Sequence, residues 1–273
     1  MLVVQITDTH IKPRGRLAYR RVDTAEALAA CVDHVNRLAP RPDLVLITGD
    51  LVDAGVAEEY AHFRELVEPL TTPFFVIPGN HDHRANMRAA FQDHAYLHQD
   101  DEFLHYAVDG WPIRLIGLDS TVPGAPHGAM CEKRLGWLRA QLARDPGKPT
   151  LLFMHHPPFL TGIEHMDVQN CRDADALAEV LQPHRESIRL LCGHVHRAVH
   201  VTWAGAACSI GPSPSHAVAL DLSPDPVPSF ALEPPACHVV RWDAAQGFTS
   251  HLSYIGRFDG PYPFYHPGGA LID

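Results

Sequence analysis

Short apolar runs alternate along the chain with segments whose apolar residues recur at helical spacing. The runs predict strands and the spaced segments predict helices. Candidate strands lie at 2–6, 43–47, 74–77, 113–118, 150–154 and 188–192, and candidate helices at 23–38, 56–68, 131–143 and 173–182. The runs are almost continuously apolar, which favours strands covered on both faces. The alternation therefore predicts a layered α/β core.

The helix at 23–38 carries a start signal, because Asp23 stands where an N-terminal cap is expected and Glu26 follows three residues later. Its apolar stripe comprises Leu28, Cys31, Val32 and Val35. Asp173 is the predicted cap of the helix at 173–182.

The last third of the chain has a different pattern. Residues 198–210 and 237–255 alternate polar and apolar positions and predict antiparallel strands. Between them, residues 212–235 carry seven prolines and predict an irregular segment, a lid or an oligomer contact. That segment is too short to form a separate domain.

Length, composition and net charge disfavour several classes of protein. The 273 residues are 46% hydrophobic, but the apolar runs fall well short of the roughly 18 residues that span a bilayer, so no membrane association is predicted. The first residues, MLVVQITDTH, read as a strand and not as a signal peptide.

Six cysteines without CxxC spacing favour reduced thiols and a cytoplasmic protein. A net charge of −10 disfavours a nucleic-acid polymer as partner.

Polar residues cluster just past the ends of five predicted strands, which we take to belong to one sheet. In α/β sheets the carboxyl ends of the strands are where ligands bind. The clusters are Asp8 and His10, Gly49 and Asp50, Gly79 to Asp82, His155 and His156, and Gly193 to His196. Each cluster alone is weak, because a Gly-Asp pair after a strand is usually a turn. Their joint occurrence predicts a metal site.

The donors in these clusters are carboxylate, imidazole and amide groups without a thiolate. That set suits catalytic Zn, Fe or Mn and excludes a structural cysteine-type zinc site. Alternation in an extended segment would aim Asp8 and His10 the same way, and likewise His194 and His196. Seven donors are too many for one ion, so we expect two ions with Asp50 bridging. The expected sets are Asp8, His10, Asp50 and His196 for one ion, and Asp50, Asn80, His155 and His194 for the other.

These motifs resemble those of the calcineurin-like metallophosphoesterases, whose pattern D-x-H, G-D, G-N-H-[D/E], H and G-H-x-H is complete here. The segments FMHHPP and RPDLVLITGDLVDAG look most like the bacterial class III cyclic-nucleotide phosphodiesterases and glycerophosphodiesterases. The resemblance implies a four-layer αββα sandwich. It also implies a catalytic domain at 1–210 and, at 211–273, a proline-rich cap with terminal strands that belongs to the same domain and builds homo-oligomers.

The resemblance also implies a function, the hydrolysis of small phosphodiesters by attack of a metal-bridging hydroxide. The cofactors would be two divalent ions (Fe/Zn, Mn or Co), and the substrates glycerophosphodiesters or 3',5'-cyclic nucleotides. His81 would protonate the leaving group or brace a ligand. Asn80 and His216 would contact substrate, and Asp82 would orient the loop or a ligand.

Other interpretations stay open at this stage. A phosphomonoesterase or protein phosphatase would share the ligand set and would favour an extra arginine near the ions, for which Arg84 and Arg197 are the candidates. A scaffold that binds metal without catalysis is the non-enzyme alternative. The basic residues of the stretch KPRGRLAYRR (12–21) would touch the substrate or form a solvated loop.

Overall fold

The structure is a computed structural model and describes residues 1–272. In chain order the strands are β1 Leu2–Ile6, β2 Leu44–Thr48, β3 Phe74–Ile77, β4 Tyr106–Val108, β5 Arg114–Leu118, β6 Gly128–Ala129, β7 Thr150–Met154, β8 Cys171–Arg172, β9 Ile188–Cys192, β10 Val199–Trp203, β11 Ala206–Ile210, β12 Ala217–Val218, β13 Phe230–Ala231, β14 Ala236–Asp243 and β15 Gly247–Tyr254. The helices are α1 Thr24–Asn36, α2 Ala57–Val67, α3 Arg84–Ala90, α4 Glu132–Ala143, α5 Glu164–Asp167 and α6 Ala174–Leu181, with 3-10 turns at Ala95–His98 and Gln182–His184. Every predicted strand and helix is present.

Two large sheets form the centre of the fold, and the expectation of a single sheet was wrong. The first has the order β15-β14-β1-β2-β3, and the second has the order β10-β11-β9-β7-β5-β4. Strands β1, β2 and β3 are parallel, as are β5, β7, β9 and β11. Apolar runs indicate burial on both faces, but they do not reveal which strands pair.

Alternating side chains of the central strands enter two different cores, and this produces four layers. Phe153 on β7 lies in the same core as Ile77 on β3, between the two sheets, and helices α1 and α2 border that core. The next residue, Met154, faces the opposite way and packs in a core with α4 and α6. The predicted αββα sandwich is confirmed.

The C-terminal part of the chain completes the first sheet. Strand β14 pairs antiparallel with β1, with Val4 opposite Val239, and β15 forms the sheet edge. Strands β12 and β13, which pair with each other, lie inside the proline-rich segment. Among residues 1–272 no helix is long and apolar enough to cross a membrane.

Candidate metal centre

The edges of the two sheets meet where the polar clusters lie. Gln5 on β1 donates from Nε2 to the carbonyl of Cys192 at 2.8 Å and to Thr48 Oγ1 at 2.9 Å. The amide of His194 donates to Asp8 Oδ1 at 2.9 Å. These bonds join the carboxyl ends of β1 and β2 to that of β9, so donors from both sheets converge on one buried place.

Five of the seven donors are aimed by left-handed backbone, so the expectation of extended alternation was wrong. Positive φ angles occur at Asp8 (56°), His10 (44°), Asp50 (49°), His194 (76°) and His196 (57°). Residues other than glycine adopt this conformation at a cost, and such strain concentrates at functional sites. Asp8 and His10 do meet in one donor group, but left-handed turns bring them there and not the alternation of an extended strand.

The first group of donors joins Asp8, His10, His196 and Asp50. The Nε2 atoms of His10 and His196 are 3.1 Å apart, and His196 Nε2 is 3.5 Å from Asp8 Oδ1. His10 Nε2 is 3.5 Å from Asp50 Oδ2. Ligand atoms bound at about 2.1 Å to one ion lie about 3 to 3.5 Å from each other. The spacing therefore fits a divalent cation.

A second group of donors adjoins the first at Asp50. His155 Nε2 is 3.2 Å from Asp50 Oδ2, and the rings of His155 and His194 have centroids 5.2 Å apart. His155 Nδ1 lies 2.9 Å from the Thr48 carbonyl oxygen. When Nδ1–H donates there, Nε2 is left as the free lone pair, the usual arrangement of a ligating histidine.

Several of these donor atoms are buried and have no hydrogen-bond partner. They are Asn80 Oδ1, His155 Nε2 and His194 Nε2, and the ring nitrogens of His10 and His196 that face away from the first group, their Nδ1 atoms, are also without a partner. A buried polar atom without a partner is destabilising. The cluster of unpartnered atoms in this centre fits residues built to hold a cation, as do the groups of Asp8, His10 and His196 and of Asp8, Asp50 and His155.

The pKa values of the carboxylates and histidines in the centre also fit a site for a cation. Burial, with the nearby Asp50 carboxylate, raises the pKa of Asp8 to about 6. For His155 burial favours the neutral form, but Asp50 and Asp8 outweigh it and raise the pKa to about 9. Burial and His155 together lower the pKa of His194 to about 3. The carboxylates thus favour a positive charge at His155, and a divalent cation that displaced the proton from His155 would neutralise the same carboxylates.

Gly49 packs closely against the donor His155, which leaves no room for a side chain at position 49. Gly49 has a φ of +92°, and a Cβ placed there would lie 2.4 Å from His155 Nδ1. A larger residue at position 49 would displace that imidazole, so the glycine of the Gly-Asp motif serves the site and not only the turn.

The loop after β3 places His81 and Asp82 differently. His81 Nδ1 is 2.6 Å from the Asp53 carbonyl oxygen, and the amide of His81 donates to Asp50 Oδ1 at 2.9 Å. Asp82 accepts from the Gly79 amide at 2.9 Å and from the Tyr60 hydroxyl at 2.8 Å. Asp82 thus ties the loop to α2, while the His81 ring faces the cavity.

A cavity of about 430 Å³ opens above the donors. His81, Asn80 and His216 line it, and so do Tyr19 and Phe230. His216 is 4% exposed and has its ring centroid 4.5 Å from that of His196. The donors therefore form the floor of a pocket that a small molecule can enter.

Several residues that contact the site were not predicted from the sequence, among them Asp53, Tyr19 and Phe230. Asp53 lies 3.7 Å from His10 Nδ1 through Oδ1, and its position in the GDLVDAG stretch was the available signal. Tyr19 and Phe230 line the cavity. Tyr19 lies in the stretch 12–21, but only the basic residues of that stretch were considered as substrate contacts.

His156, which follows the donor His155 in the sequence, is fully buried beside the donor cluster. Its Nδ1 is 2.8 Å from Ser120 Oγ, and its Nε2 has no partner. The ring centroid lies 4.8 Å from that of His194. His156 therefore packs directly against the second donor group.

Known proteins share sequence and fold with this chain. The model of the calcineurin-like phosphoesterase family matches residues 1–198. The chain is 47% identical to a probable glycerophosphodiester phosphodiesterase, GpdQ, of Arcobacter nitrofigilis over the full length of both proteins. It is 35% identical to the 3',5'-cyclic adenosine monophosphate phosphodiesterase CpdA of Escherichia coli K12, over 77% of this chain and 75% of that protein.

Among solved structures, a dimetal phosphatase from Danio rerio has the same fold, with a TM-score of 0.65 and 16% identity over 94% of this chain and 99% of that chain. The chain belongs to the calcineurin-like phosphoesterase family. Members of this family use divalent metals, and the acidic and histidine groups described above are able to bind them.

Proposed function

We propose that this protein is a metal-dependent phosphodiesterase that hydrolyses small phosphodiesters at a dinuclear centre. The observation that carries the proposal is the make-up of the cavity. Its floor consists of the clustered donors, and no lysine or arginine occurs among the described residues that line it. A diester carries one negative charge, whereas a monoester dianion calls for additional positive charge.

The two arginines that could have supplied that charge are engaged elsewhere. Arg84 donates to the buried Asp119 at 2.5 and 3.0 Å. Arg197 donates to the Val218 carbonyl at 2.5 Å and to Glu233 at 3.0 Å. Their positions favour a diester substrate over a phosphomonoester or phosphoprotein.

The ligand sets follow from the two donor groups. Asp8, His10, Asp50 and His196 would hold one ion, and Asp50, Asn80, His155 and His194 the other. When bound, such a pair of ions lowers the pKa of a coordinated water and polarises the phosphoryl group. The donors contain no thiolate, so iron with zinc, manganese or cobalt are the metals we propose.

His81 would act as the proton donor to the leaving oxygen. Its Nδ1 is occupied by the Asp53 carbonyl, which leaves Nε2 for the substrate. Asn80 and His216 would contact the bound diester, since both line the cavity. Asp82 would fix the loop that carries His81, through its bonds to Gly79 and Tyr60.

The names of the relatives suggest glycerophosphodiesters and 3',5'-cyclic nucleotides as substrates. The test is an assay of manganese- or cobalt-reconstituted protein on bis(p-nitrophenyl) phosphate and on p-nitrophenyl phosphate, followed by glycerophosphoethanolamine and cyclic AMP. We expect a higher kcat/KM for the diester than for the monoester. A preference for the monoester would reject the substrate class, and no turnover of any of the four would favour a metal-binding scaffold.

We propose that residues 211–273 provide a proline-rich cap, the terminal strands of the same domain and an interface between copies of the chain. Aromatic side chains in the tail contact solvent, with Phe258 64%, Tyr262 70% and Phe264 78% exposed. Exposed apolar patches of this kind mark interaction sites. Light scattering should give a mass of at least twice 30.2 kDa for the full chain. A monomeric mass at micromolar concentration would reject the interface.

We further propose a cytoplasmic location, which the cysteines support. All six are unpaired, and five of them are buried. Free buried thiols are typical of proteins that work in a reducing compartment. Fractionation of the native host, with a periplasmic marker as control, would test this location.

A further inference from the structure

Two separate segments roof the cavity and touch through aromatic rings. Tyr19 belongs to the loop between β1 and α1, and Phe230 belongs to β13 in the proline-rich segment. Their ring centroids are 4.9 Å apart, and Tyr19 is also 5.3 Å from the ring of His216. His216 in turn lies 5.6 Å from Phe230. The three rings form one wall above the metal centre, which we call the aromatic wall.

The backbone presents Tyr19 to the cavity at a cost. Ala18 and Val22 exchange two hydrogen bonds of 2.9 Å, which close a tight three-residue loop that begins with Tyr19. Tyr19 and Arg20 both have positive φ angles, 49° and 59°. Consecutive left-handed residues without glycine are strained, and strain of this kind persists where a function holds it.

The surroundings of the aromatic wall are mostly apolar. Met166, Val218 and Pro228 line the same cavity. No lysine or arginine is among the described residues that line this cavity, and the nearby Lys12 and Arg14 pair with Asp53 and Glu65. An organic group carried by the phosphate would meet ring faces and aliphatic carbon here, and not a charged partner.

We propose that the rings of Tyr19 and Phe230 bind one of the two organic groups of a phosphodiester and thereby select diesters over monoesters. The inference rests on the proposed function and names the residues that set its substrate class. A monoester has only one organic group, so the wall contributes less to its binding. The ring of Tyr19, and not its hydroxyl group, would supply the contact.

The test compares Tyr19→Ala, Tyr19→Phe and Phe230→Ala with the parent protein on bis(p-nitrophenyl) phosphate and p-nitrophenyl phosphate. Loss of an apolar ring contact should raise the KM for the diester about 10-fold in both alanine variants. The KM for the monoester should change less than about 2-fold. Tyr19→Phe should behave like the parent. Leu17→Ala, in the same loop but outside the cavity lining, is the matched control.

Metal content per chain, measured on every variant, reports whether the centre is intact. Equal losses on the two substrates in Tyr19→Ala, or a loss in Tyr19→Phe as large as that in Tyr19→Ala, would overturn the inference. If the parent protein itself favours the monoester, the proposed function fails. If the parent favours the diester and Tyr19→Ala keeps the same ratio, only the role of the aromatic wall fails.

Discussion

At the residue scale, the identities of the donors could be predicted from the sequence but their directions could not. The motif residues Asp8, His10 and Asp50 are recognisable because they follow apolar runs. The extended geometry that we used to aim them was wrong, because all three have positive φ angles. Steric preference predicts right-handed or extended backbone for such residues, and only the packed site holds them in the strained form.

His81 gives a prediction about the leaving group. His81→Ala should lower kcat for glycerophosphoethanolamine by about 100-fold or more, because an alkoxide needs a proton to depart. The same variant should lose much less on bis(p-nitrophenyl) phosphate, whose p-nitrophenolate leaves without protonation. Steady-state assays of both substrates check this difference. Equal losses would show that His81 positions the centre instead of donating a proton.

Gly193 gives a prediction about metal binding. A Cβ at this position would lie 2.1 Å from Thr7 Oγ1 and 3.0 Å from Asp8 Oδ2. Gly193→Ala should therefore displace Asp8 and lower the metal content, as measured by atomic emission. Gly136→Ala is the control, because open space surrounds that position inside α4. It should retain the metals and stabilise the protein by about 0.5–1 kcal/mol.

The Arg84–Asp119 pair gives a prediction about pH. For Asp119 burial opposes ionisation, but the Arg84 guanidinium and several hydrogen bonds outweigh it and lower the pKa. Because the folded pKa lies below the unfolded value of about 4, the pair stabilises the protein above that pH. The stabilisation is lost as the pH falls through the folded pKa.

Asp119→Asn should accordingly lower the free energy of unfolding at pH 7 by about 3–5 kcal/mol. Denaturant titrations at pH 7 and pH 3 should show that the variant and the parent differ less in acid. Asp109→Asn is the control, since Asp109 pairs with Lys148 at the surface and should cost less than about 1 kcal/mol. An Asp119 effect as small as that of Asp109 would contradict the buried-pair assignment.

At the element scale, periodicity located the long helices and strands because each buries a regular set of positions. The three-residue strand β4 and the seven-residue helix α3 were missed, because a few residues carry too little periodic signal. Asp23 caps α1 as predicted and accepts from the Glu26 amide at 2.9 Å. Asp173 precedes α6, but its φ is 63° and its side chain forms no capping bond.

Asp23 and Asp173 allow a controlled comparison, because only Asp23 forms a capping hydrogen bond. Asp23→Ala should lower the free energy of unfolding by about 1 kcal/mol, because it removes a bond to an otherwise free helix amide. Asp173→Gly should change it by less than about 0.5 kcal/mol, since no capping bond is lost and glycine tolerates a positive φ. Chemical denaturation of both variants provides the comparison. Equal costs would mean that the bond to Glu26 contributes nothing.

At the scale of the whole molecule, the sequence indicated that five strand ends gather donors, but it could not show that two sheets share the task. His155 and His194 come from the second sheet, and Asp8, Asp50 and Asn80 come from the first. Pairing between distant strands depends on tertiary packing that a single sequence does not reveal. The donor cluster lies at the junction of the sheets, so it can assemble only when both sheets have folded and packed.

The most direct test of the account is the number of metal ions bound per folded chain. Protein stripped with chelator and reconstituted with Mn²⁺ or Co²⁺ should bind two ions per chain, measured by atomic emission after desalting. Asp50→Ala, which removes the residue shared by both donor groups, should bind one or none. Asp93→Ala, which removes a surface partner of Arg64, should still bind two. Fewer than one ion per chain in the parent protein would contradict the account.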